Sequence, residues 1–459
     1  MEKTVKASAP QRANVVAIIA MFFLFAMISF VTNLAAPIGT IWGYKFEGNS
    51  VLGMMGNMMN FAAYLFMGIP AGNLLVKIGY KKTALWAMAV GIVGLFVQWL
   101  SGVVGADTTL GSIAGFPVPL NFYIYLLGAF ICGFCVCMLN TVVNPMLNLL
   151  GGGGNRGNQL IQTGGSLNSL SGTLTPLFVG ALIGALSSST TMGDVAPLLW
   201  IAIGVFVFAF IVISFVSIPE PNLSKGTKKV KYSHSPWNFR HTVLGVIGIF
   251  FYVGIEIGIP GTLNFYLADQ SAKGAGIVGE ASAIAGGVVA IYWLLMLVGR
   301  LVSSVISGKV SSRTQLIVVS MTAIVLIAIA IILPSDLFVS MPAYSAADGF
   351  SMADVPAKAM FLVLCGLCTS VMWGGIFNLA VEGLGKYTAQ ASGIFMMMVV
   401  GGGIMPLVQN GIANAAGYMA SYWLVIAMLA YLFFYGCVGC KNVNKDIPVT
   451  EDAADPRNL

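Results

Sequence analysis

The sequence predicts an all-α membrane protein whose twelve transmembrane helices form two pseudo-symmetric six-helix bundles. Of its 459 residues, 58% are hydrophobic and only 8% are charged, a balance that soluble globular domains do not have. Apolar stretches of about 20 residues, the length that crosses a bilayer as a helix, recur along the whole chain. Short motifs also repeat at an offset of about 230 residues, which indicates two related halves.

The apolar stretches define twelve candidate spans. They begin near Val15, Ser50, Thr83, Leu120, Asn158, Val195, Thr242, Ser282, Gln315, Ala359, Thr388 and Tyr418. The first stretch is too long for a signal peptide, and no small-residue cleavage site separates it from a soluble domain. We therefore interpret it as a membrane helix.

The basic residues predict the orientation in the membrane. When the loops are assigned alternately to the two sides, 19 of the 22 lysines and arginines fall on one side, and such an excess marks the cytoplasm. We therefore expect both termini in the cytoplasm of a cell whose inner membrane holds the chain. The same asymmetry accounts for the net charge of +6, so the charge indicates a lipid bilayer and no nucleic-acid partner.

Two repeated motifs support the division into halves. CGFC at Cys132 recurs as CGLC at Cys365, and GTLTPL at Gly172 recurs as GGIMPL at Gly402. Between the two sets lies a polar segment rich in lysine, which we interpret as a linker in contact with anionic lipid heads. The expected division is residues 1–218 for the N-terminal half, 219–240 for the cytoplasmic linker, 241–440 for the C-terminal half and 441–459 for a cytoplasmic tail.

Glu256, in the stretch FYVGIEIGIPG, is the acidic residue that we place at mid-membrane depth. A carboxylate there costs about 2.5–3.5 kcal/mol on insertion scales, so it needs a function or a partner. Gly258, Pro260 and Gly261 follow it and can free backbone carbonyls. A carboxylate beside free carbonyls suits a coupling cation, either H⁺ or Na⁺. The alternatives are a direct bond to a substrate and a structural bond between helices.

Side-chain amides within the spans predict a site for a hydroxylated ligand, because one amide supplies both a donor and an acceptor. The candidate substrate-binding amides are Asn33, Asn57, Asn60, Asn140, Asn144, Gln162, Asn168, Asn264 and Asn378. Asn140 and Asn144 are four residues apart, so they share one face of a helix. The alternative for each amide is a bond between neighbouring helices.

Two tryptophans within spans extend this candidate site. Trp293 and Trp373 lie away from the membrane interfaces, where most membrane tryptophans are found. An indole face can stack on the apolar face of a sugar ring, although helix packing explains a tryptophan equally well. We assign Arg300 to the cytoplasmic end of its span and place no basic residue at mid-depth. The sequence therefore favours a neutral substrate over an anionic one.

The segment GNLLVKIGYKK between the second and third spans resembles the conserved loop of the major facilitator superfamily. Gly72, Lys77, Gly79 and Lys81 fit that loop, and Val76 stands at its aspartate position. Several other segments, among them YWLLMLVGR ending at Arg300, are similar to the fucose, galactose and glucose symporter branch. The resemblance implies that the loop residues and Arg300 take part in conformational change.

The chain departs from that branch at positions that matter for ion coupling. The resemblance implies a proton-coupling carboxylate where this chain has Ala36 and a second acidic residue, a glutamate, where it has Asn140, and neither substitute can titrate. It also implies a glutamine where this chain has Gly165, with Gln162 one turn earlier. Coupling to protons, if present, cannot use the two substituted carboxylate positions.

Together, the residues and the resemblance predict a secondary active transporter. It would import a neutral monosaccharide, a hexose or deoxyhexose, by cation-coupled symport at Glu256 with alternating access. The alternatives are a passive sugar uniporter, a drug or metabolite exporter, and a sugar sensor without transport, for which the linker is short. Nothing in the sequence indicates an enzyme, a cofactor or a metal site, because its C-x-x-C pairs lie in apolar helices without histidine. We expect a monomer.

Overall fold

The computed structural model describes residues 11–150, 154–184, 186–218, 234–277, 279–306, 310–345, 349–384 and 387–449. Most of the lysine-rich linker and the last ten residues of the tail lie outside the described residues. Twelve helices in the described part are long and apolar enough to cross a membrane, which confirms the predicted fold class.

The first six spans are built from six helices of unequal length. They are α1 (Gln11–Asn33) with α2 (Ala35–Lys45), α3 (Ser50–Leu100), α4 (Leu120–Leu150), α5 (Gly154–Ile183) and α6 (Ala196–Phe215). α1 and α2 together form the first span, and α3 contains the second and third. The two spans within α3 meet at Gly79, whose φ of 86° and ψ of 175° are non-helical. Only glycine adopts that conformation without strain.

The second six spans follow the same plan with more interruptions. They are α7 (Arg240–Ala268), α8 (Ala281–Ile306), α9 (Ser312–Ile332), α10 (Ala357–Thr369) with α11 (Met372–Val381), α12 (Thr388–Met398) with α13 (Gly401–Ala416), and α14 (Tyr418–Phe434). α10 with α11 forms the tenth span and α12 with α13 forms the eleventh. A short π-helical segment, Tyr435–Gly439, ends the last span.

Two β-hairpins occupy equivalent loops of the halves. β1 (Thr109–Ile113) pairs with β2 (Phe116–Pro119), and β3 (Phe338–Ser345) pairs with β4 (Gly349–Pro356), both antiparallel. Each hairpin follows the third span of its half. We call this face of the bundle the hairpin side, and the opposite face, where the connection between α6 and α7 lies, the linker side. The sequence analysis did not predict either hairpin.

The residues of the motif after the second span lie on the linker side. Lys81 donates from Nζ to the Ser214 carbonyl at 2.7 Å, near the end of α6. A lysine at that end satisfies a terminal carbonyl and matches the helix dipole. Lys77 is exposed, and nothing lies within 4 Å of the position that a Cβ on Gly72 would take.

Prolines inside two helices free backbone carbonyls, and each carbonyl finds a side-chain donor. Pro260 has no N–H to offer the Glu256 carbonyl, which accepts instead from the Tyr292 hydroxyl at 3.2 Å. Pro406 likewise frees the Gly402 carbonyl, which accepts from Asn57 Nδ2 at 2.9 Å. Both helices therefore stay continuous across their prolines.

Contacts between the halves close the bundle on the hairpin side. Asn264 Nδ2 of α7 donates to Thr40 Oγ1 of α2 at 2.9 Å. The Tyr44 hydroxyl donates to the Ala268 carbonyl at 3.1 Å, and Ser50 donates to Asn414 Oδ1 at 2.7 Å. These bonds hold the first and second spans of the first half against α7 and α13 of the second.

Glycines allow the closest approach between helices of the second half. A methyl group added to Gly401 of α13 would lie 1.9 Å from the Phe250 carbonyl oxygen of α7. We expect Gly401→Ala to lower the free energy of unfolding by roughly 1–3 kcal/mol, since the two backbones must move apart. Thermal unfolding in detergent, followed by tryptophan fluorescence, measures this as a lower Tm.

Gly204→Ala on α6 is the matched control. Nothing lies within 4 Å of the Cβ that it would add, so we expect its stability to stay within about 1 kcal/mol of wild type. Equal Tm values for the two variants would contradict the close contact between α13 and α7.

Candidate functional site

A cavity of about 520 Å³ lies between the two halves, in the size range of small-molecule sites. α1, α4 and α5 of the first half line one wall, and α7, α8, α11 and α12 of the second half line the other. Its wall continues to Ser312 and Asn378, at the linker-side ends of α9 and α11. Since the hairpin side is closed by the bonds described above, the cavity extends toward the linker side.

The wall from the first half, which we call the amide wall, contains four of the candidate amides, Asn33, Asn140, Asn144 and Asn168, together with Phe25, Phe61 and Tyr64. Asn33 Nδ2 donates to the Ser29 carbonyl at 2.8 Å. Asn140 Nδ2 donates to the Tyr64 hydroxyl at 2.9 Å, and Asn144 Nδ2 donates to the Asn140 carbonyl at 3.0 Å. Because these bonds use the amide nitrogens, the amide oxygens remain available as acceptors.

The wall from the second half carries the two candidate tryptophans, and we call it the aromatic wall. Trp293 of α8 and Trp373 of α11 both line the cavity, together with Tyr252 and Phe377. The rings of Tyr252 and Trp373 lie 6.1 Å apart, centre to centre. The second half thus adds indole rings to the cavity that the first-half amides line, and it contributes two amides of its own, Gln315 and Asn378.

A buried ion pair lies in the aromatic wall. Arg300 Nη2 is 3.3 Å from Glu256 Oε1, and the two side chains are only 9% and 13% exposed. Arg300 Nη1 also donates to the Gly165 carbonyl of α5 at 2.5 Å. The Tyr252 hydroxyl lies close to both charges. The guanidinium therefore joins α8 and α7 of the second half to α5 of the first.

This pair corrects the expectation that no basic group reaches mid-membrane depth. Arg300 does lie in the last two turns of α8, but an arginine side chain is long enough to carry its charge well away from its Cα. One signal in the sequence could have found it. Trp293 and Arg300 are seven residues apart, two helical turns, so they share the face of α8 that lines the cavity.

Three candidate amides lie outside the cavity wall. Asn57 is buried and binds the Gly402 carbonyl. Asn60 is also buried, and its backbone packs directly on Gly133 of α4. Asn264 bonds to Thr40 and lines a separate cavity of about 40 Å³. The amides of Asn57 and Asn264 therefore bond between helices, the alternative that the sequence left open, whereas the side-chain oxygen of Asn60 is buried without a hydrogen-bond partner among the described residues.

Some candidate positions fall outside the described side chains. Gln162 belongs to α5, but its side chain is not described, and the same holds for Ala36 in α2. In contrast, Ser29 and Thr32 of α1 line the cavity without having been predicted. Their hydroxyl groups are common within membrane helices, so residue type alone gave no signal.

Two related six-helix halves around a central cavity, with interrupted helices beside it, define the class of secondary transporters. The Major Facilitator Superfamily profile matches residues 16–406. The chain therefore belongs to the Major Facilitator Superfamily, and it is a membrane transporter rather than an enzyme.

Known proteins similar to this chain cover nearly its full length. The glucose/galactose transporter of Brucella abortus biovar 1 (strain 9-941) is 29% identical over 435 residues, which are 93% of this chain and 94% of the relative. The L-fucose-proton symporter of Escherichia coli (strain K12) is 23% identical over 448 residues, 90% of each chain. A solved structure of the transporter FucP in the outward conformation superposes with a TM-score of 0.65 at 18% identity, covering 93% of this chain and 99% of that one.

The ion pair predicts a compensating double substitution. Arg300→Gln leaves the Glu256 carboxylate unpaired in the cavity wall, so we expect it to lower the free energy of unfolding by roughly 3–5 kcal/mol. Glu256→Gln with Arg300→Gln removes both charges and should recover a large part of that loss. A double-mutant cycle on Tm or on denaturant unfolding measures the coupling.

Arg313→Gln serves as the control arginine. Arg313 donates to the Gly436 and Cys437 carbonyls and is paired with no carboxylate in the described structure. Its effect should therefore add to that of Glu256→Gln. An equally additive result for Arg300→Gln would mean that the pair contributes no coupling energy.

Proposed function

We propose that the chain imports a neutral monosaccharide, a hexose or deoxyhexose, across the inner membrane by alternating access, with a proton at Glu256 as the coupling ion. The observation that carries the proposal is that four amides of the first half and two indoles of the second half line one cavity. During alternating access, the two halves, residues 1–218 and 241–440, move relative to each other. The excess of basic residues on the linker side supports cytoplasmic termini and a cavity that faces the cytoplasm.

The two walls suit the two kinds of surface that a sugar ring presents. Its hydroxyl groups both donate and accept hydrogen bonds, and the amides of Asn33, Asn140, Asn144 and Asn168 do the same. Its C–H face is apolar and can stack on Trp293 or Trp373. Relatives named for glucose, galactose and fucose support this class of substrate.

The charge balance of the cavity supports a neutral substrate. Glu256 and Arg300 are the charged side chains among the described lining residues, and they neutralise each other. An anionic sugar would have to compete with Glu256 for the guanidinium. A cationic drug would have to compete with Arg300 for the carboxylate. A ligand without charge leaves the pair intact.

The surroundings of Glu256 favour a proton over sodium. A sodium ion needs several hard oxygen ligands, but the Glu256 carbonyl already accepts from Tyr292, and a guanidinium lies against the carboxylate. A proton needs the carboxylate alone.

Protonation of Glu256 could couple proton binding to movement of the two halves relative to each other. A neutral carboxyl group no longer holds Arg300 by charge, while the Gly165 carbonyl of the other half still can. The charge on Glu256 therefore influences a contact between the halves. Such a contact is the kind that differs between inward-facing and outward-facing states.

A passive uniporter is the second candidate. Its support is that Glu256 already has its partner, and that Ala36 and Asn140 replace the carboxylates implied by the family resemblance. If the ion pair stays closed throughout the cycle, sugar moves down its gradient without coupling. The proposal of a monomer fits either candidate.

Replacing Glu256 separates the two candidates. For a proton symporter, we expect Glu256→Gln to abolish gradient-driven accumulation and to retain exchange of sugar, because the neutral amide mimics the protonated carboxyl. The measurement is uptake of labelled glucose, galactose and fucose into proteoliposomes under an imposed pH gradient, and exchange in its absence.

Glu382→Gln is the control, since Glu382 is an exposed acidic residue at the end of α11. It should accumulate sugar like the wild type. Accumulation that persists in Glu256→Gln would remove Glu256 from coupling. Wild-type protein that equilibrates sugar without accumulating it would favour the uniporter, and an absence of sugar flux would contradict the proposed substrate class.

The amide wall makes its own prediction about affinity. Asn168 lines the cavity, whereas Asn57 lies outside it. We expect Asn168→Ala to raise the Kd for the sugar by roughly three- to tenfold, the value of about one hydrogen bond. Asn57→Ala should lower Tm and leave Kd within about twofold, because it removes the partner of a buried carbonyl. Quenching of tryptophan fluorescence measures both Kd values, and equal shifts would contradict the assignment of the wall.

A further inference from the structure

The β3–β4 hairpin covers the line where the two halves meet on the hairpin side. Although it belongs to the second half, β3 packs against α8 and also contacts α5 of the first half. Met341 and Ala343 are buried while Pro342 between them is exposed. This alternation shows that one face of the strand packs on the helices.

The hairpin is fixed to the second half by its backbone. A methyl group added to Gly287 of α8 would lie 2.6 Å from the Tyr344 amide nitrogen and 3.0 Å from the Ala343 Cα, so the strand lies directly on the helix. The Ala357 amide donates to the Leu337 carbonyl at 2.8 Å, which closes the base of the hairpin onto α10. The hairpin should therefore move together with α8 and α10.

The Tyr344 ring reaches across to the first half. Its Cδ1 atom would lie 3.5 Å from a methyl group added to Gly180 of α5, which is ordinary van der Waals distance. The ring lines the smaller cavity of about 40 Å³, whose other walls come from α2, α5, α7 and α8. The bond between Asn264 and Thr40 lies at the same cavity. Tyr344 thus fills the outer end of the junction between the halves.

Alternating access requires this junction to open. For the main cavity to face the hairpin side, α2 and α5 must separate there from α7 and α8. The hairpin stays with α8, so the contact of β3 with α5, where the Tyr344 ring lies near Gly180, has to break. We propose that Tyr344 is an outer gate residue, whose ring seals the junction and stabilises the state in which the cavity faces the linker side. The proposal rests on alternating access and is independent of the substrate and of Glu256.

Reciprocal labelling of two cysteines tests the gate. Leu177→Cys reports from the small cavity beneath Tyr344, and Ser312→Cys reports from the linker-side end of the main cavity. In detergent, which exposes both sides, we expect Tyr344→Ala to speed maleimide labelling of the first reporter roughly three- to tenfold, as expected for a lost aromatic contact. It should slow labelling of the second reporter, because the population shifts to the opposite state.

Phe350→Ala is the matched control. Phe350 lies on the same hairpin with its ring 5.1 Å from that of Tyr344, but it is 77% exposed. Neither reporter should change in this variant. Faster labelling at position 177 without slower labelling at position 312 would mean that the alanine merely opened a local space, and the gate proposal would be wrong. Background labelling of the seven native cysteines is subtracted with the chain that carries no reporter.

A cross-link provides a second test that does not depend on the alanine variant. Oxidation of Gly180→Cys with Tyr344→Cys should join the two positions, fix labelling at position 312 at its high rate and stop sugar exchange until reductant is added. Gly180→Cys with Phe350→Cys should show neither effect. A cross-linked protein that still exchanges sugar would overturn the gate. Because the labelling rates require no substrate, a wrong substrate class would remove the sugar-exchange readout but leave the labelling results of both tests intact.

Discussion

The ion pair between Arg300 and Glu256 is the interaction on which the organisation of the cavity depends. Either charge alone would be costly at this depth, so the pair requires α7 and α8 to lie where the guanidinium can reach the carboxylate. Tyr292 of α8 also holds Glu256, because its hydroxyl donates to the Glu256 backbone carbonyl. Arg300 then brings in α5 through the Gly165 carbonyl, so one side chain holds three helices from both halves.

The need to satisfy every backbone polar group decides which amides can serve a ligand. Within a bilayer no water is available to an unpaired carbonyl. Pro406 leaves the Gly402 carbonyl without its helical partner, and Asn57 supplies the missing donor. Asn57 is thereby committed to structure, although its residue type and depth match those of the amides in the cavity. Asn33, Asn140 and Asn144 in the cavity wall instead bond within their own half through their nitrogens, which leaves their amide oxygens as acceptors for a ligand.

Length and composition were sufficient to predict the twelve spans, because the bilayer fixes both. The amides and tryptophans of the cavity could be selected by residue type, but the face on which each lies depends on neighbouring helices, so Asn57, Asn60 and Asn264 were not separable from the rest. The sequence analysis assigned the Arg300 charge to the membrane depth of its Cα, because a sequence does not show which way a long side chain extends. The β3–β4 hairpin gave no clear strand signal, because its packing on Gly287 is a tertiary contact.

The two halves contribute different chemistry, and Gly165 explains how they are connected. The first half lines the cavity with neutral amides, while the second half carries both charges and the indoles. Arg300 reaches the first half at a backbone carbonyl rather than at a side chain, and a Cβ on residue 165 would lie 3.3 Å from Nη1, closer than most contacts allow. The family resemblance implies a glutamine at this position, and such a side chain would occupy the space that the guanidinium uses. Gly165 therefore leaves the guanidinium room beside this carbonyl, and a methyl group there would require the guanidinium to shift by a few tenths of an ångström.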